Sequence, residues 1–339
     1  MSHFLNIVNH VDLLSPDWDK IAKRYYQKKE FISHCHEYNP CSQRYYELYN
    51  GDSLEAWAIV YTLKLNVFTY AGIPSPLSMN VIGIPASVGV EGVAAKTNEA
   101  RKSLLSEIIR CEKGFILGLN FPEKLNHPSG SVWGKTLPTV LLKKTFNSAD
   151  HYLTSLRSDY RRRIRLSAEK MKSLKLQSIR CADFTHDMYR LYLQVFEKSE
   201  AKLEKLSFDF FKNLPAPFSL RVIFDEQNSP LAFHCSLENN DEFDFFMGGV
   251  DYSVLHKYDL YFNITSDVVQ QYALGDASYL DMGQTAETPK LRLGGLCQPL
   301  YMFGYHPGVL FRWLFRIAKP WLEYRNTPDR YHVFPGEND

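Results

Sequence analysis

The chain has 339 residues, a formal charge of +1 at pH 7, and hydrophobic and charged fractions of 45% and 23%. That length exceeds one small core and suits two domains, and that composition excludes global disorder. A near-neutral total excludes the overall basic excess of a dedicated nucleic-acid binder, but leaves room for a local basic patch.

Six cysteines (Cys35, Cys41, Cys111, Cys181, Cys235, Cys297) are scattered without paired spacing, the pattern of reduced thiols rather than a disulfide framework. The stretch from Met1 to Trp18 carries Asp12, Asp17 and two histidines and lacks the apolar core of a signal peptide. Val309 to Trp321 is apolar, but it is interrupted by Arg312, Arg316 and Lys319 and is too short to span a bilayer. These features predict a cytoplasmic protein. His34-Cys35-His36 with Cys41 nearby has no second spaced pair, so no metal site is expected.

In chain order, Gln43 to Tyr49 reads as a strand, and Asn50-Gly51-Asp52 is a hairpin turn signal. Leu54 to Leu63 and Val67 to Tyr70 follow as strands, then a looser Pro/Gly region from Gly72 to Gly92. Leu104, Leu105 and Ile108 fall at helical spacing and predict a helix over Asn98–Cys111 with Asn98 as its cap. Gly114 ends it, and Phe115 to Leu119 is an apolar strand. One long helix is predicted over Ala149–Leu174, with Leu153, Leu156, Tyr160, Ile164, Met171 and Leu174 as its apolar stripe.

The second half repeats this order. Strands are predicted at Leu220–Phe224, Leu231–Leu237 and Phe243–Met247, separated by polar turns at 225–230 and 238–242. Gly248-Gly249 breaks the chain, a helix runs from about His256 to Leu274 and stops at Gly275, and Tyr279–Met282 closes the unit. The fold class is therefore α/β: two tandem mixed-sheet domains, 1–147 and 148–339, joined by a long basic helix. A last aromatic segment, Tyr301 to Tyr324, has Arg312 and Arg316 one turn apart on a Trp/Phe/Leu-rich helix; such a helix could touch a membrane surface or a lipid chain, but it reads first as the helix that closes the core, with the arginines snorkelling outwards.

Leu260-Tyr261, Ala273-Leu274-Gly275, Tyr279-Leu280-Asp281-Met282-Gly283 and Lys290-Leu291-Arg292-Leu293-Gly294 together resemble the second domain of the FemAB-like branch of the GNAT N-acyltransferases. His151-Tyr152-Leu153 through Arg161-Arg162-Arg163 resembles the helix that precedes that domain. The resemblance implies tandem GNAT-like domains, the first degenerate and the second catalytic, and transfer of an acyl group to an amine. The pyrophosphate loop of the GNAT signature, Arg/Gln-x-x-Gly-x-Gly/Ala before a helix, is not intact; its nearest equivalent is Gly248-Gly249. That weakens acetyl-CoA as donor and leaves a larger acyl-CoA, an acyl carrier protein or an aminoacyl-tRNA.

Direct acyl transfer needs a base, a stabilised carbonyl oxygen and two reactants held together, and no protein nucleophile. His234 and Ser236 alternate onto one face of their strand, and Asp244 interrupts Phe243, Phe245 and Phe246 on the next. A register that sets Ser236 opposite Asp244 makes His234 and Asp244 a general-base pair. Asp281 alternates with Leu280 and Met282, and the resemblance to a GNAT-like fold, which splays two strands, implies that it points into the cleft where they part. Gln284, Glu287, Lys290 and Arg292 follow as candidate acceptor-binding groups. Arg157, Arg161 and Arg165, with Lys172 beyond, line one helix face that could receive phosphates of CoA, a carrier protein's acidic surface or tRNA. The expected partners are an activated donor and an amine-bearing small molecule or peptide, and no tightly bound cofactor is implied. The rival readings are a tRNA-dependent aminoacyl ligase, a GNAT-like module that binds a ligand without catalysis, and an RNA-binding protein using the Arg-rich helix.

Overall fold

The computed structural model describes residues 3–68, 73–239 and 241–336. The first sheet contains β1 (His3–Val8), β2 (Arg44–Asn50), β3 (Ser53–Phe68), β4 (Ile73–Ile82), β5 (Val93–Ala95), β6 (Phe115–Phe121) and β7 (Val132–Lys135). The second contains β8 (Thr139–Lys143), β9 (Lys175–Ile179), β10 (Phe218–Phe224), β11 (Pro230–Asn239), β12 (Glu242–Val250), β13 (Tyr279–Asp281) and β14 (Leu296–Gln298). The last strand, β15 (Tyr301–Tyr305), returns to the first sheet.

The strand orders are β1-β2-β3-β4-β6-β15-β7, with β5 on β3, and β9-β10-β11-β12-β13-β8-β14. Position by position they are the same sheet. Each has an antiparallel meander, then one parallel pair: β4–β6 in the first, β12–β13 in the second. A parallel pair needs a crossover rather than a hairpin, and the helices Asn98–Cys111 and Leu260–Leu274 supply it. The repeated order of elements in the sequence is thus the repeated topology of two mixed sheets.

Each crossover helix forms because its apolar residues recur at helical spacing and find one sheet face. Leu104, Leu105 and Ile108 are fully buried with Ala56, Ala58, Val60, Ile82 and Ile116. Ile264, Val268, Val269 and Tyr272 are buried with Phe243, Phe245 and Leu280. Each such side chain contributes about 1.5–3 kcal/mol of burial free energy.

Several sequence expectations need correcting. The chain divides into two compact units that are not contiguous halves: 1–138 with 200–210 and 299–326, and 139–199 with 211–298 and 327–339. Residues 139–147 therefore pack with the second unit, because β8 pairs with β13 and β14. The helix read over Ala149–Leu174 is two, Ala149–Ser155 and Ser158–Glu169. The break has a local cause: Leu156 is extended and buried, and the Arg157 amide donates to the Val333 carbonyl rather than back along a helix. Likewise His256–Leu274 is Leu255–Tyr258 and Leu260–Leu274, parted at Asp259, whose φ of 52° is left-handed. The cap of Asn98–Cys111 is Thr97, which accepts from the Ala100 amide. The loose region at 72–92 contains β4, while β3 runs unbroken to Phe68; Thr69 and Tyr70, the end of the strand read at Val67–Tyr70, lie outside the described residues.

Gly248 and Gly249 do not break the chain. They lie inside β12 opposite His234 and Phe233. A Cβ on Gly249 would stand 2.3 Å from the Phe233 ring and 2.7 Å from the Tyr192 amide nitrogen, so this glycine lets the helix His186–Lys198 settle on the sheet. Gly249→Ala is expected to destabilise the protein by about 2 kcal/mol, as overpacking does, read as a lowered urea midpoint. An unchanged midpoint would show that the helix yields without cost.

Candidate active site

The parallel pairing of β12 with β13 is short: Glu242–Tyr279, Phe243–Leu280 and Asp244–Asp281. After that third rung β13 ends, whereas β12 continues to Val250. Met282 turns to the other neighbour, donating to the Val140 carbonyl. The two strands therefore part beyond Asp244 and Asp281. Beside this parting β12 carries a bulge: Cys235 faces Met247 while Ser236 faces Phe245, leaving Phe246 as the extra residue. Bulges re-aim backbone and side chains, and they favour functional edges.

In-register neighbours on parallel strands point to the same side, so Asp244 and Asp281 stand side by side. Both are buried, at 3% and 6% exposure. One Asp281 oxygen, Oδ1, accepts from Thr139 Oγ1 at 2.5 Å and from the Gly283 amide at 2.9 Å. Those two donors hold the carboxylate where the strands part.

The expected pairing of His234 with Asp244 does not form. Leu237, not Ser236, faces Asp244. Phe243, one residue earlier, meets Tyr272 of the crossover helix, and His234 reaches Asp267 of the same helix, so Asp244 lies on the opposite sheet face from His234. His234 is fully buried; its Nε2 donates to Asp267 Oδ2 at 2.8 Å and its Nδ1 is 2.9 Å from Ser236 Oγ. Arg221 completes the chain, donating Nε and Nη2 to the two Asp267 oxygens at 2.6 and 3.1 Å. Both histidine nitrogens are thus engaged inside the core, the geometry of an anchor between sheet and helix. Burial pushes the Asp267 carboxyl up, but the hydrogen bonds and charges of His234 and Arg221 outweigh it and hold the group below the usual carboxylate value.

The residues read as acceptor-binding sit in and after the loop that follows β13. Lys290 is not on a strand; it lies in the short helix Glu287–Leu291 and is buried. Its ammonium donates to the carbonyls of Gly283, Gln284 and Thr285 at 3.1, 2.8 and 2.7 Å. Burial pulls it down to about 7, against the upward pull of Asp281 and Glu287. It holds a strained loop, since Thr285 and Ala286 both have left-handed φ. Gln284 and Glu287 are half-buried in that loop and helix, and Arg292 is exposed over the Tyr331 ring.

Of the basic ridge, Arg165 is exposed and Arg161 reaches the Thr154 carbonyl at 3.4 Å; Arg157 caps the second of the two helices. The cations that reach the start of the crossover helix are others, Arg163 and Lys170, at 2.7 and 3.1 Å from Asp259. Burial raises the Asp259 carboxyl, but these two partners bring it below its usual value. Arg163 also lies 4.5 Å from the Phe262 ring centroid. Asp259 precedes the crossover helix, and its carboxylate pairs with these two cations rather than capping the helix amides. The sequence carried no expectation for Asp267, Arg221 and Lys170, and it placed Arg163 only within the basic run Arg161-Arg162-Arg163. An aspartate in the middle of an apolar helix, at a position that must face the sheet, was the available signal for the first of them.

No protein-family model matches the chain, and no curated protein matches it in sequence. Solved structures do share its fold. L-PGS from Bacillus licheniformis superposes with a TM-score of 0.53 at 10% identity, over 88% of this chain and 98% of that one. Saccharomyces cerevisiae N-myristoyltransferase, with bound myristoyl-CoA and inhibitors, gives 0.52 at 12% identity, over 89% and 79%. A conserved protein of unknown function from Bacteroides thetaiotaomicron gives 0.52 at 10%, over 89% and 99%. The tandem GNAT-like fold implied by the sequence resemblance is therefore the fold of this chain.

The Asp267 pair also sets an acid limit. Its native pKa lies below the unfolded value of about 3.9, so its contribution is present above pH ~4 and is lost as the pH falls through the native value. Asp267→Asn is expected to cost about 3 kcal/mol at neutral pH, because it leaves a largely buried Arg221 unpaired. Urea midpoints taken between pH 7 and 3 should then fall less steeply in the variant than in the wild type. Parallel slopes would remove Asp267 from the acid limb.

Proposed function

We propose that the protein is an N-acyltransferase whose second unit carries the reaction. The observation that carries this reading is the parting of β12 and β13 just past the Asp244–Asp281 rung, beside the bulge at Phe246. A splayed parallel pair offers an extended donor the edge of β12, where backbone amides of the segment 245–250 can receive a carbonyl oxygen as negative charge develops on it. Asp281, with Asp244 beside it, accepts the proton of the attacking amine. The amine nitrogen bonds to the acyl carbon, the tetrahedral intermediate collapses, and the thiolate or alkoxide of the donor leaves and takes up a proton. His234, Asp267 and Arg221 keep the crossover helix registered on the sheet behind the cleft, and Lys290 keeps the 283–285 loop at its mouth.

The first unit is the degenerate copy in this reading. Its parallel pair ends on Ile82 and Gly118, with Val81 and Leu117 before them, so no carboxylate stands at the corresponding rung.

An acyl-CoA is the donor that a fold shared with a myristoyl-CoA-binding enzyme favours; an acyl carrier protein would present the same thioester. A second reading, a tRNA-dependent aminoacyl ligase of FemAB type, is favoured by exposed Arg162 and Arg165, which suit a nucleic-acid backbone. The acceptor is an amine on a small molecule or peptide.

Thermal stabilisation by long-chain acyl-CoA but not by free CoA is the expected result for the first donor. Co-purifying RNA, lost when Arg161 and Arg165 are changed to Glu, is the result expected for the second. Once a donor is found, Asp281→Asn should lower kcat by about 10²–10⁴-fold with little change in donor binding. Full turnover in the Asp244→Asn/Asp281→Asn double variant would remove these groups as bases, and no response to any donor would favour a ligand-binding module without catalysis.

A further inference from the structure

The helix Val309–Leu322 is built inside out. Its residues Leu310, Trp313, Leu314, Ile317 and Trp321 fall at the i, i+3, i+4, i+7 and i+11 positions of one face, and all are 43–64% exposed. Among the described residues of this helix none is buried. The opposite face lies on the unit: Phe315 packs on Gly304 of β15, and Arg312 spreads over Gly130 and the Tyr305 ring. A helix that merely closed a core would turn the apolar face inwards and the cations outwards. Here the apolar face looks at solvent, against the expectation from sequence.

Beside this helix is a recess of about 250 Å3 lined by Lys124, Asn126, Ser131, Trp133, Arg316 and Lys319. Among the described residues no ion pair engages Lys124 or Arg316, and Lys319 has only Glu323, at 3.8 Å. Two uncompensated cations and polar groups from Asn126 and Ser131 thus line one recess, which Arg316, one turn on from Trp313, joins to the border of the apolar face.

We propose that this helix and its basic recess dock the protein on an anionic phospholipid bilayer, with the five apolar side chains entering the acyl boundary and the recess holding a headgroup phosphate. Two arguments select a bilayer over a second copy of the chain. A helix of 14 residues offers a footprint of only about 21 Å by ~10 Å, on the order of 200 Å2. A specific protein interface takes roughly 800 Å2 from each partner. The charge arrangement also fits: Arg316 and its basic recess border the apolar face on one side, and tryptophans sit on it, as on helices that lie in a membrane interface. No helix among the described residues is long and apolar enough to cross a membrane, so the contact is peripheral. This inference does not depend on the acyl-transfer reading.

The test is flotation of the intact chain with vesicles of phosphatidylcholine alone and with about 30% phosphatidylserine, with tryptophan emission and its quenching by brominated acyl chains recorded on the same samples. Binding is expected to the anionic vesicles, with blue-shifted emission. Leu314→Ser/Ile317→Ser should weaken it at least about tenfold, and Lys124→Glu/Arg316→Glu should abolish the preference for anionic lipid. All four positions are at the surface, and unchanged melting curves show that the variants fold. Binding untouched by either pair of changes overturns the proposal. So does a dimer in light scattering that Leu314→Ser/Ile317→Ser converts to monomer, since a second copy would then cover the face. Equal binding to both vesicle types overturns the headgroup site.

Discussion

One parallel strand pair inside an otherwise antiparallel sheet governs this structure. Parallel neighbours cannot be joined by a tight turn, so each unit must carry the chain over the sheet face through a helix before the partner strand can enter. That requirement places Asn98–Cys111 between β4 and β6, and Leu260–Leu274 between β12 and β13. The same pairing is short-lived. In the second unit it lasts three rungs, and beyond them β12 runs on while the chain after β13 turns to β8. Bulge and carboxylates gather there.

The chemistry of the second unit is divided between two sheet faces. On the helix side, Arg221, Asp267, His234 and Ser236 form a hydrogen-bonded chain within the core. Such a chain costs desolvation, which its mutual pairing must offset, and its return is a single register between helix and sheet. On the other side, Asp244 and Asp281 stand at the last rung, the latter held by Thr139 from β8. The strand that supplies this hydroxyl precedes the rest of the unit's strands in the sequence, so the candidate site is assembled from segments about 140 residues apart.

Much of the architecture was legible because it rests on local signals. Asn50-Gly51 closes the hairpin between β2 and β3, with Gly51 in the left-handed region that the turn requires. Leu104, Leu105 and Ile108 announced their helix to its last residue. Less legible was anything that hung on register. His234 and Asp244 were placed on one face by alternation alone, and a single bulge at Phe246 with a one-residue offset at Leu237–Asp244 separated them. Gly248-Gly249 read as a chain break because glycine is permissive; in β12 the bareness of Gly249 instead makes room for the helix His186–Lys198.

By itself, the sequence determined most of the element types and the twofold repeat, because periodicity, turn chemistry and capping act within a few residues. Only the tertiary structure decided which strand joins which sheet, since β8 and β15 each pair in the sheet other than that of the strand before them. It also decided which cations meet Asp259, that Lys290 is spent on three carbonyls, and that the last helix turns its tryptophans outwards. Those outcomes depend on partners distant in the chain, and no local pattern carries the identity of a distant partner.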